Sequence, residues 1–214
     1  MNLPHGYEPS SAVDRQEPFI VLEGVSGIGK STLAKLLSER LGGTGLHTLP
    51  DPHSEWSGHA NRQLRPLPQF AFYLSGLLHA SDVVRRDRAL GPVIADRYAS
   101  SVIACHAAVN RVGVEDVARF MAPFRPYLEI PHHTFYLRCS EAALRDRMTA
   151  KETATGLTPD DQDLFDVPGR LAVLLANFEA VAADDPTAVP VDTDNKTPEE
   201  LADWIANRLE TDRA

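Results

Sequence analysis

The sequence predicts an α/β fold in which a five-stranded parallel sheet carries helices on both faces. Short apolar runs alternate with longer segments of helical periodicity, which is the pattern of strand–helix–strand units, and the sequence contains no internal repeat. The five apolar runs are 19–22, the stretch around 46–49, 92–95, 134–137 and 188–191. The 214 residues correspond to one large domain when a domain is taken as roughly 150 residues.

Helical spacing of apolar residues follows the first strand and recurs between the others. Leucines from Leu33 to Leu41 lie on one helix face, and glycines 42 and 43 end that helix. The same periodicity predicts further helices at 68–90, 100–110, 114–124, 141–151, 166–183 and 198–209.

Two segments lack these patterns. Residues 1–17 are rich in Pro, Gly and Ser and have no apolar core segment, so we expect a loose N-terminal extension and no secretory signal. Residues 152–163 are polar, include Gly156 and Pro159, and predict a mobile loop. A surface connector and an active-site lid, spanning about 147–165, are both open interpretations of this loop.

Composition favours a small ligand over a polymer. The chain has 21 basic and 30 acidic residues and a net charge of −9, which repels nucleic acid, although a local cluster of donors can still hold one small anion. The longest apolar run, 171–176, is too short for a membrane helix of roughly 20 residues. Cys105 and Cys139 lie in apolar stretches, which predicts buried thiols and a cytoplasmic location.

The strongest motif lies between the first strand and the first helix. Residues 24–32 match Gly-x-x-x-x-Gly-Lys-Ser/Thr, in which glycines let successive backbone N–H groups point at phosphate oxygens. Lys30 is expected to bridge the β- and γ-phosphates, and Ser31 to bind Mg²⁺. The predicted nucleotide-binding residues are Gly24, Gly27, Ile28, Gly29, Lys30, Ser31 and Thr32.

Charged residues also follow the second and third strands. Asp96 and Arg97 come directly after strand three, at the carboxyl edge where parallel sheets bind ligands. Asp96 is a candidate Mg²⁺ ligand, and Arg97 a candidate clamp on the transferring group or the acceptor. Asp51 follows strand two and is a candidate general base, with a turn or helix-cap aspartate as the alternative.

Together these residues resemble the thymidylate kinase and deoxyribonucleoside kinase superfamily. The resemblance rests on Phe-Ile-Val-Leu-Glu-Gly with the phosphate loop, on Asp96-Arg97-Tyr98, and on the lid with its closing strand and helix, from about residue 18 to 210. It implies a P-loop kinase domain over 18–214 that uses ATP and Mg²⁺. It also implies that Arg147 and Lys151 are lid cations that embrace the donor phosphates.

The resemblance extends to the acceptor side. Asp51-Pro52 with Trp56 is similar to the Glu-Pro-x-x-x-Trp element of the deoxynucleoside kinases, whose acid is the base for a sugar hydroxyl. Gln69 occupies the position of a glutamine that hydrogen-bonds the nucleobase. Tyr73 on the same helix is a candidate for stacking on the base, with a core role as the equal alternative.

Several positions depart from the family pattern. Thymidylate kinases usually carry an acid at Ser26, an arginine at Thr48, and an Asp-Arg or Asn-Arg pair at residues 75–76, where this chain has Ser-Gly. Arg62 and Arg65 are candidate replacements for the missing arginines.

The leading hypothesis is therefore an ATP- and Mg²⁺-dependent kinase of a nucleoside or nucleoside monophosphate. The alternatives are a kinase of a non-nucleoside alcohol, such as a sugar or a secondary-metabolite intermediate, and a nucleotide-binding regulatory protein. We expect neither a nucleic-acid polymer nor a membrane as a partner. Related kinases are commonly dimers, so the resemblance implies a homodimer as one possible state.

Overall fold

The computed structural model describes residues 8, 9 and 17–213, with side chains through residue 211. Most of the predicted N-terminal extension, residues 1–17, therefore lies outside the described residues. The continuous part of the structure begins at Glu17. The carbonyl oxygen of this residue accepts a hydrogen bond of 2.7 Å from Arg88 Nε, so residue 17 is held in place by Arg88.

In the described part of the chain, five parallel strands form one sheet in the order β2-β3-β1-β4-β5. This confirms the predicted sheet. The central strand is apolar over four consecutive residues and fully buried, as expected for a strand covered on both faces. The strands are β1 Phe19–Glu23, β2 Thr44–His47, β3 Val93–Asp96, β4 His133–Arg138 and β5 Ala188–Asp192.

The second strand ends earlier than the predicted 46–49. Thr48 still donates its backbone N–H to the Asp96 carbonyl at 3.1 Å, but Pro50 has no N–H to continue the ladder. Leu49, which the apolar pattern assigned to the strand, is buried against the helix that contains Gly76 instead.

Nine α-helices and one 3₁₀ helix, Ala122–Tyr127, surround the sheet in the described residues. Helix α1 packs against α9, while α4 packs against α3, α5 and α8. The helix at 53–63 was not predicted because its sequence is polar and buries only Ala60. The helices are α1 Lys30–Leu41, α2 His53–Gln63, α3 Pro66–Asp87, α4 Ala99–Asn110, α5 Val114–Met121, α6 Glu141–Thr155, α7 Pro159–Asp166, α8 Arg170–Ala183 and α9 Pro198–Arg213.

The prediction of a loop over 152–163 is wrong. Helix α6 continues to Thr155 and α7 begins at Pro159, so only residues 156–158 connect them. Thr158 and Asp161 form a reciprocal capping box, and Pro159 occupies the first helical turn. The proline and the polar residues that indicated a loop are therefore the start signals of a short helix.

Two further sequence-based expectations concern thiols and membranes. Cys105 and Cys139 are both free thiols. Both are partly exposed, whereas the sequence predicted buried thiols. Among the helices that the structure describes, none combines the length and apolar character needed to cross a membrane.

The capping box at Thr158 predicts a local effect on stability. Thr158→Ala removes the side-chain acceptor of the Asp161 N–H and should destabilise α7 by about 1 kcal/mol. Amide hydrogen exchange in α7 should then become several-fold faster. Thr153→Ala, which removes an exposed hydroxyl from α6, is the matched control. Equal exchange in the two variants would contradict a capping role for Thr158.

Candidate active site

The phosphate loop joins β1 to α1, and its backbone conformation requires glycine at several positions. Gly24, Gly27 and Gly29 all have positive φ angles, of 141°, 79° and 106°. A Cβ atom on Gly27 would lie 2.1 Å from Met148 Sδ, and one on Gly24 would lie 2.9 Å from the Leu137 carbonyl oxygen. Gly27 therefore allows α6, and Gly24 allows β4, to lie directly against the loop, while the N–H groups of the loop stay available to an anion.

Lys30 is folded inside this loop. Its ammonium group is buried and donates to the Val25 carbonyl oxygen at 2.7 Å. Burial and, to a smaller extent, the nearby Arg97 lower the pKa of Lys30 to about 7, although Asp96 and Glu23 act in the opposite direction. A phosphate group bound by the loop would favour the charged form of this lysine.

Ser31 and Asp96 lie together at the carboxyl ends of β1 and β3. The Ser31 hydroxyl donates to Asp96 Oδ2, while Asp96 Oδ1 is buried and has no hydrogen-bond partner among the described residues. A buried carboxylate oxygen without a partner is unfavourable unless a cation or donor completes it. One hydroxyl and one carboxylate beside a phosphate site fit Mg²⁺, which binds few protein oxygens and takes the rest from phosphate and water.

Arg97 is held against the phosphate loop by a strained turn. Its φ angle is 76°, and its Nη1 donates to the Gly24 carbonyl oxygen and to Ser101 Oγ, both at 3.1 Å. The turn is fixed by Glu23, which accepts hydrogen bonds from the N–H groups of Tyr98 and Ser101 at 2.9 and 3.1 Å and from the Ser101 hydroxyl. Glu23 therefore positions Arg97.

The sequence analysis missed Glu23, although one signal was present. It is a carboxylate at the end of an otherwise apolar strand, immediately before the phosphate loop. The structure buries it completely, and this burial raises its pKa despite the hydrogen bonds from Ser101 and the nearby Arg97.

The two predicted lid cations make different contacts. Arg147 donates to the Ile28 carbonyl oxygen at 3.1 Å and to both oxygens of Thr193 at 2.8 Å, so it attaches α6 to the loop backbone. Lys151 donates to Asp161 Oδ2 at 2.6 Å. That either side chain binds donor phosphates stays a prediction.

Asp161, which was not predicted to be a site residue, connects α7 to the phosphate loop. Its carboxylate is fully buried and accepts from Ser26 Oγ at 2.5 Å as well as from Lys151 and Thr158. Burial raises its pKa, but the hydrogen bonds from Lys151, Ser26 and Thr158 outweigh this and lower the pKa to about 2. Helix α7 is thus latched onto the phosphate loop at neutral pH.

The residues predicted to bind the acceptor lie on α2 and α3 and in the turn before α2. Asp51 is exposed at the start of α2 and accepts from the Ser54 hydroxyl, and Trp56 is 61% exposed. Gln69 is buried: its Nε2 donates to Asn61 Oδ1 at 3.1 Å, and its Oε1 accepts from Asn110 Nδ2 at 3.0 Å.

Asn61 connects several acceptor-side groups and was not predicted, because α2 was not predicted. Its Oδ1 also accepts from the Tyr73 hydroxyl at 2.8 Å, and its Nδ2 reaches Asp160 Oδ2 on α7 at 3.5 Å. Gln69 and Tyr73 therefore both contact Asn61, while Arg62 and Arg65 are both exposed. That Gln69 or Tyr73 binds a nucleobase stays a prediction. Arg62 folds back along α2 towards Gly58.

The comparisons with known proteins agree with this arrangement. The thymidylate kinase family model matches residues 22–167, two thirds of the chain. The chain belongs to the thymidylate kinase family. A probable thymidylate kinase of Natronomonas pharaonis is 32% identical over 126 residues, which cover 55% of this chain and 64% of that relative. The match thus spans slightly less than two thirds of the length of this relative.

Two solved structures share the fold. A thymidylate kinase from Candida albicans superposes with a TM-score of 0.73 at 19% identity, over 92% of this chain and 93% of its own. A deoxyadenosine kinase from M. mycoides superposes with a TM-score of 0.62 at 20% identity, over 90% of this chain and 99% of its own. Both confirm the predicted kinase fold.

The lowered pKa of Lys30 predicts how ATP affinity depends on pH. Below pH 7 the lysine is already charged, whereas above pH 7 it must take up a proton when phosphate binds, so affinity should fall by up to about tenfold per pH unit. Titration calorimetry with ATP between pH 7.5 and 9 measures this fall and the proton uptake.

Lys30→Arg is the matched control, because a guanidinium stays charged over this range. Its ATP affinity should vary much less with pH. The same pH slope in the variant and the natural protein would show that Lys30 is not the group that titrates.

Proposed function

We propose that this protein is a kinase that transfers the γ-phosphoryl group of ATP, with Mg²⁺, to a nucleoside or nucleoside monophosphate. The observation that carries the proposal is the position of Arg97, which is fixed against the start of the phosphate loop and beside the Ser31–Asp96 pair. A module that only binds nucleotide needs no guanidinium at that point. Membership of the thymidylate kinase family supports the same reaction.

The donor half of the reaction is assigned to the loop and its neighbours. The loop N–H groups and Lys30 bind the phosphates and balance their negative charge. Ser31 and Asp96 would hold Mg²⁺, which when bound would neutralise charge on the β- and γ-phosphates. Arg97 stabilises the charge on the transferring group, since its planar guanidinium can bind two phosphate oxygens at once.

The lid has the role of excluding water. Arg147 attaches α6 to the Ile28 carbonyl, and the Lys151–Asp161–Ser26 contacts attach α7 to the loop. Closure of these two helices over the nucleotide favours transfer to the acceptor over hydrolysis. When nucleotide is bound, Lys151 and Arg147 are proposed to contact the donor phosphates as well.

The acceptor is assigned to the side lined by α2 and α3. The two structural neighbours cover both acceptor types, because one is a thymidylate kinase with broad substrate specificity and the other is a deoxyadenosine kinase with dCMP and dCDP bound as products. Proposed acceptor contacts are Asp51, Trp56, Gln69, Tyr73 and Arg97. A homodimer and a cytoplasmic location stay predictions from the sequence.

A coupled assay of ADP release tests the proposal. Nucleosides, nucleoside monophosphates and sugars should be offered in turn, and at least one nucleoside or monophosphate should stimulate turnover well above the rate without acceptor. If no compound stimulates ADP release, the kinase proposal is overturned. Stimulation by sugars alone would replace the nucleotide-type acceptor with a different alcohol.

Two variants tie this turnover to the site. Asp96→Asn should lower kcat by roughly 10²-fold or more, because the amide would be a poor ligand for Mg²⁺. Arg97→Lys should have an effect of similar size, because an ammonium group cannot bind two phosphate oxygens as the planar guanidinium does. Asp116→Asn and Arg119→Lys change an exposed ion pair on α5 and are the matched controls. Unchanged kcat in the first pair would remove these residues from the reaction.

A further inference from the structure

We infer that the phosphoryl acceptor is the uncharged hydroxyl group of a nucleoside and not the phosphate of a nucleoside monophosphate. The inference rests on the proposed kinase function and names its substrate class. Four features of the acceptor side carry it. Two positions, Thr48 and Gly76, have no space for a cationic side chain, and three nearby cations are already bound by groups of the chain itself. The fourth feature is the carboxylate of Asp160 on α7.

The first closed position is Thr48, at the exit of β2. Thr48 is buried, and both its N–H and its hydroxyl donate to the Asp96 carbonyl oxygen, at 3.1 and 2.9 Å. The residue is thus used to fix the two strand ends together. A long cationic side chain at this position would lose the hydroxyl bond and would have no space in the buried site.

The second closed position is Gly76, on the face of α3 that also carries Gln69 and Tyr73. A Cβ atom on Gly76 would lie 2.4 Å from Leu49 Cδ2 and 3.3 Å from the ring of His53. His53 fills this space, and its Nε2 lies 3.0 Å from Ser75 Oγ. Burial lowers the pKa of His53, and the nearby His79 lowers it further, so both effects favour the neutral ring.

Three cations near the site are engaged by the chain itself. Arg97 contacts the Gly24 carbonyl and Ser101, Lys30 contacts the Val25 carbonyl, and Lys151 is paired with Asp161. These contacts direct all three towards the donor loop. Arg62, one of the two arginines considered as replacements, is exposed and lies along its own helix.

The lid adds negative charge on the acceptor side. Asp160 lies within hydrogen-bonding reach of Asn61, the residue that holds Gln69 and Tyr73. Partial desolvation raises the pKa of Asp160, the adjacent carboxylates of Asp163 and Asp161 raise it further, and the nearby Arg97 and Arg170 oppose this. A phosphate acceptor, which carries about −1.5 to −2 charges at pH 7, would meet this carboxylate on entry.

A hydroxyl acceptor needs a base, and Asp51 supplies one at the exit of β2. In the transfer step the acceptor oxygen forms a bond to the γ-phosphorus while the bond between that phosphorus and the β–γ bridging oxygen breaks. The hydroxyl proton passes to the Asp51 carboxylate and then to solvent, and ADP leaves with the bridging oxygen. The products are a nucleoside monophosphate and ADP.

The test compares kcat/KM for the four 2′-deoxynucleosides with that for their 5′-monophosphates. We expect the best nucleoside to exceed its monophosphate by at least 100-fold. If a monophosphate is the better acceptor, the inference is overturned while the kinase proposal stands. If neither class stimulates ADP release, the kinase proposal itself fails.

Two variants give independent readouts. Asp51→Asn should lower kcat by roughly 10²–10⁴-fold, because a hydroxyl acceptor loses its base, whereas a phosphate acceptor is already ionised and would lose little.

Asp160→Asn should raise the kcat/KM of the monophosphate relative to the nucleoside by several-fold, since it removes the opposing charge. Asp116→Asn, an exposed aspartate on α5, is the matched control for both. Near-full kcat in Asp51→Asn would overturn the inference.

Discussion

One buried carboxylate, that of Glu23, holds together the two turns on which the site depends. It ends the central strand, leads into the phosphate loop, and accepts three hydrogen bonds from the turn after β3. Each of those donors is buried, and a buried donor left without a partner costs about 1–3 kcal/mol. The positive φ angle of Arg97 is therefore tolerated because Glu23 fixes the residues that follow it. The loop and the guanidinium are thus placed before any ligand binds.

Helix α7 contacts both the predicted donor side and the predicted acceptor side through two consecutive residues. Asp161 is buried on the donor side with Ser26 and Lys151, while Asp160 lies on the acceptor side near Asn61. A helix of only eight residues can divide its contacts in this way because the capping box fixes its first turn. Under the proposed function, closure of α7 over the donor would also place a carboxylate on the acceptor side. The same helix would then take part in choosing the acceptor as well as in excluding water.

The fold and the donor side could be predicted from the sequence because they depend on local patterns. The phosphate loop needs glycines at fixed spacing between an apolar strand and a helix, and parallel strands bring Asp96 and Arg97 to the same edge. The acceptor side depends on long-range contacts instead. Helix α2 is polar and short of buried residues, so no periodicity indicated it, and with it Asn61 was missed.

The lid shows the same limit. Pro159 and the polar residues around it occur in loops and in helix starts alike, and only the tertiary contacts of Asp161 distinguish the two. The sequence also does not show that the space beside Gly76 is filled by Leu49 and His53, since these residues come from a distant turn.

The most direct test of the role of Glu23 compares Glu23→Gln with Glu23→Leu. Glutamine keeps an oxygen for the two backbone N–H groups, whereas leucine has a similar size and accepts nothing. We predict that Glu23→Gln retains most of the acceptor-dependent kcat, and that Glu23→Leu loses at least 100-fold in kcat together with about 3 kcal/mol or more of stability. A folded Glu23→Leu protein with nearly natural kcat would contradict this account.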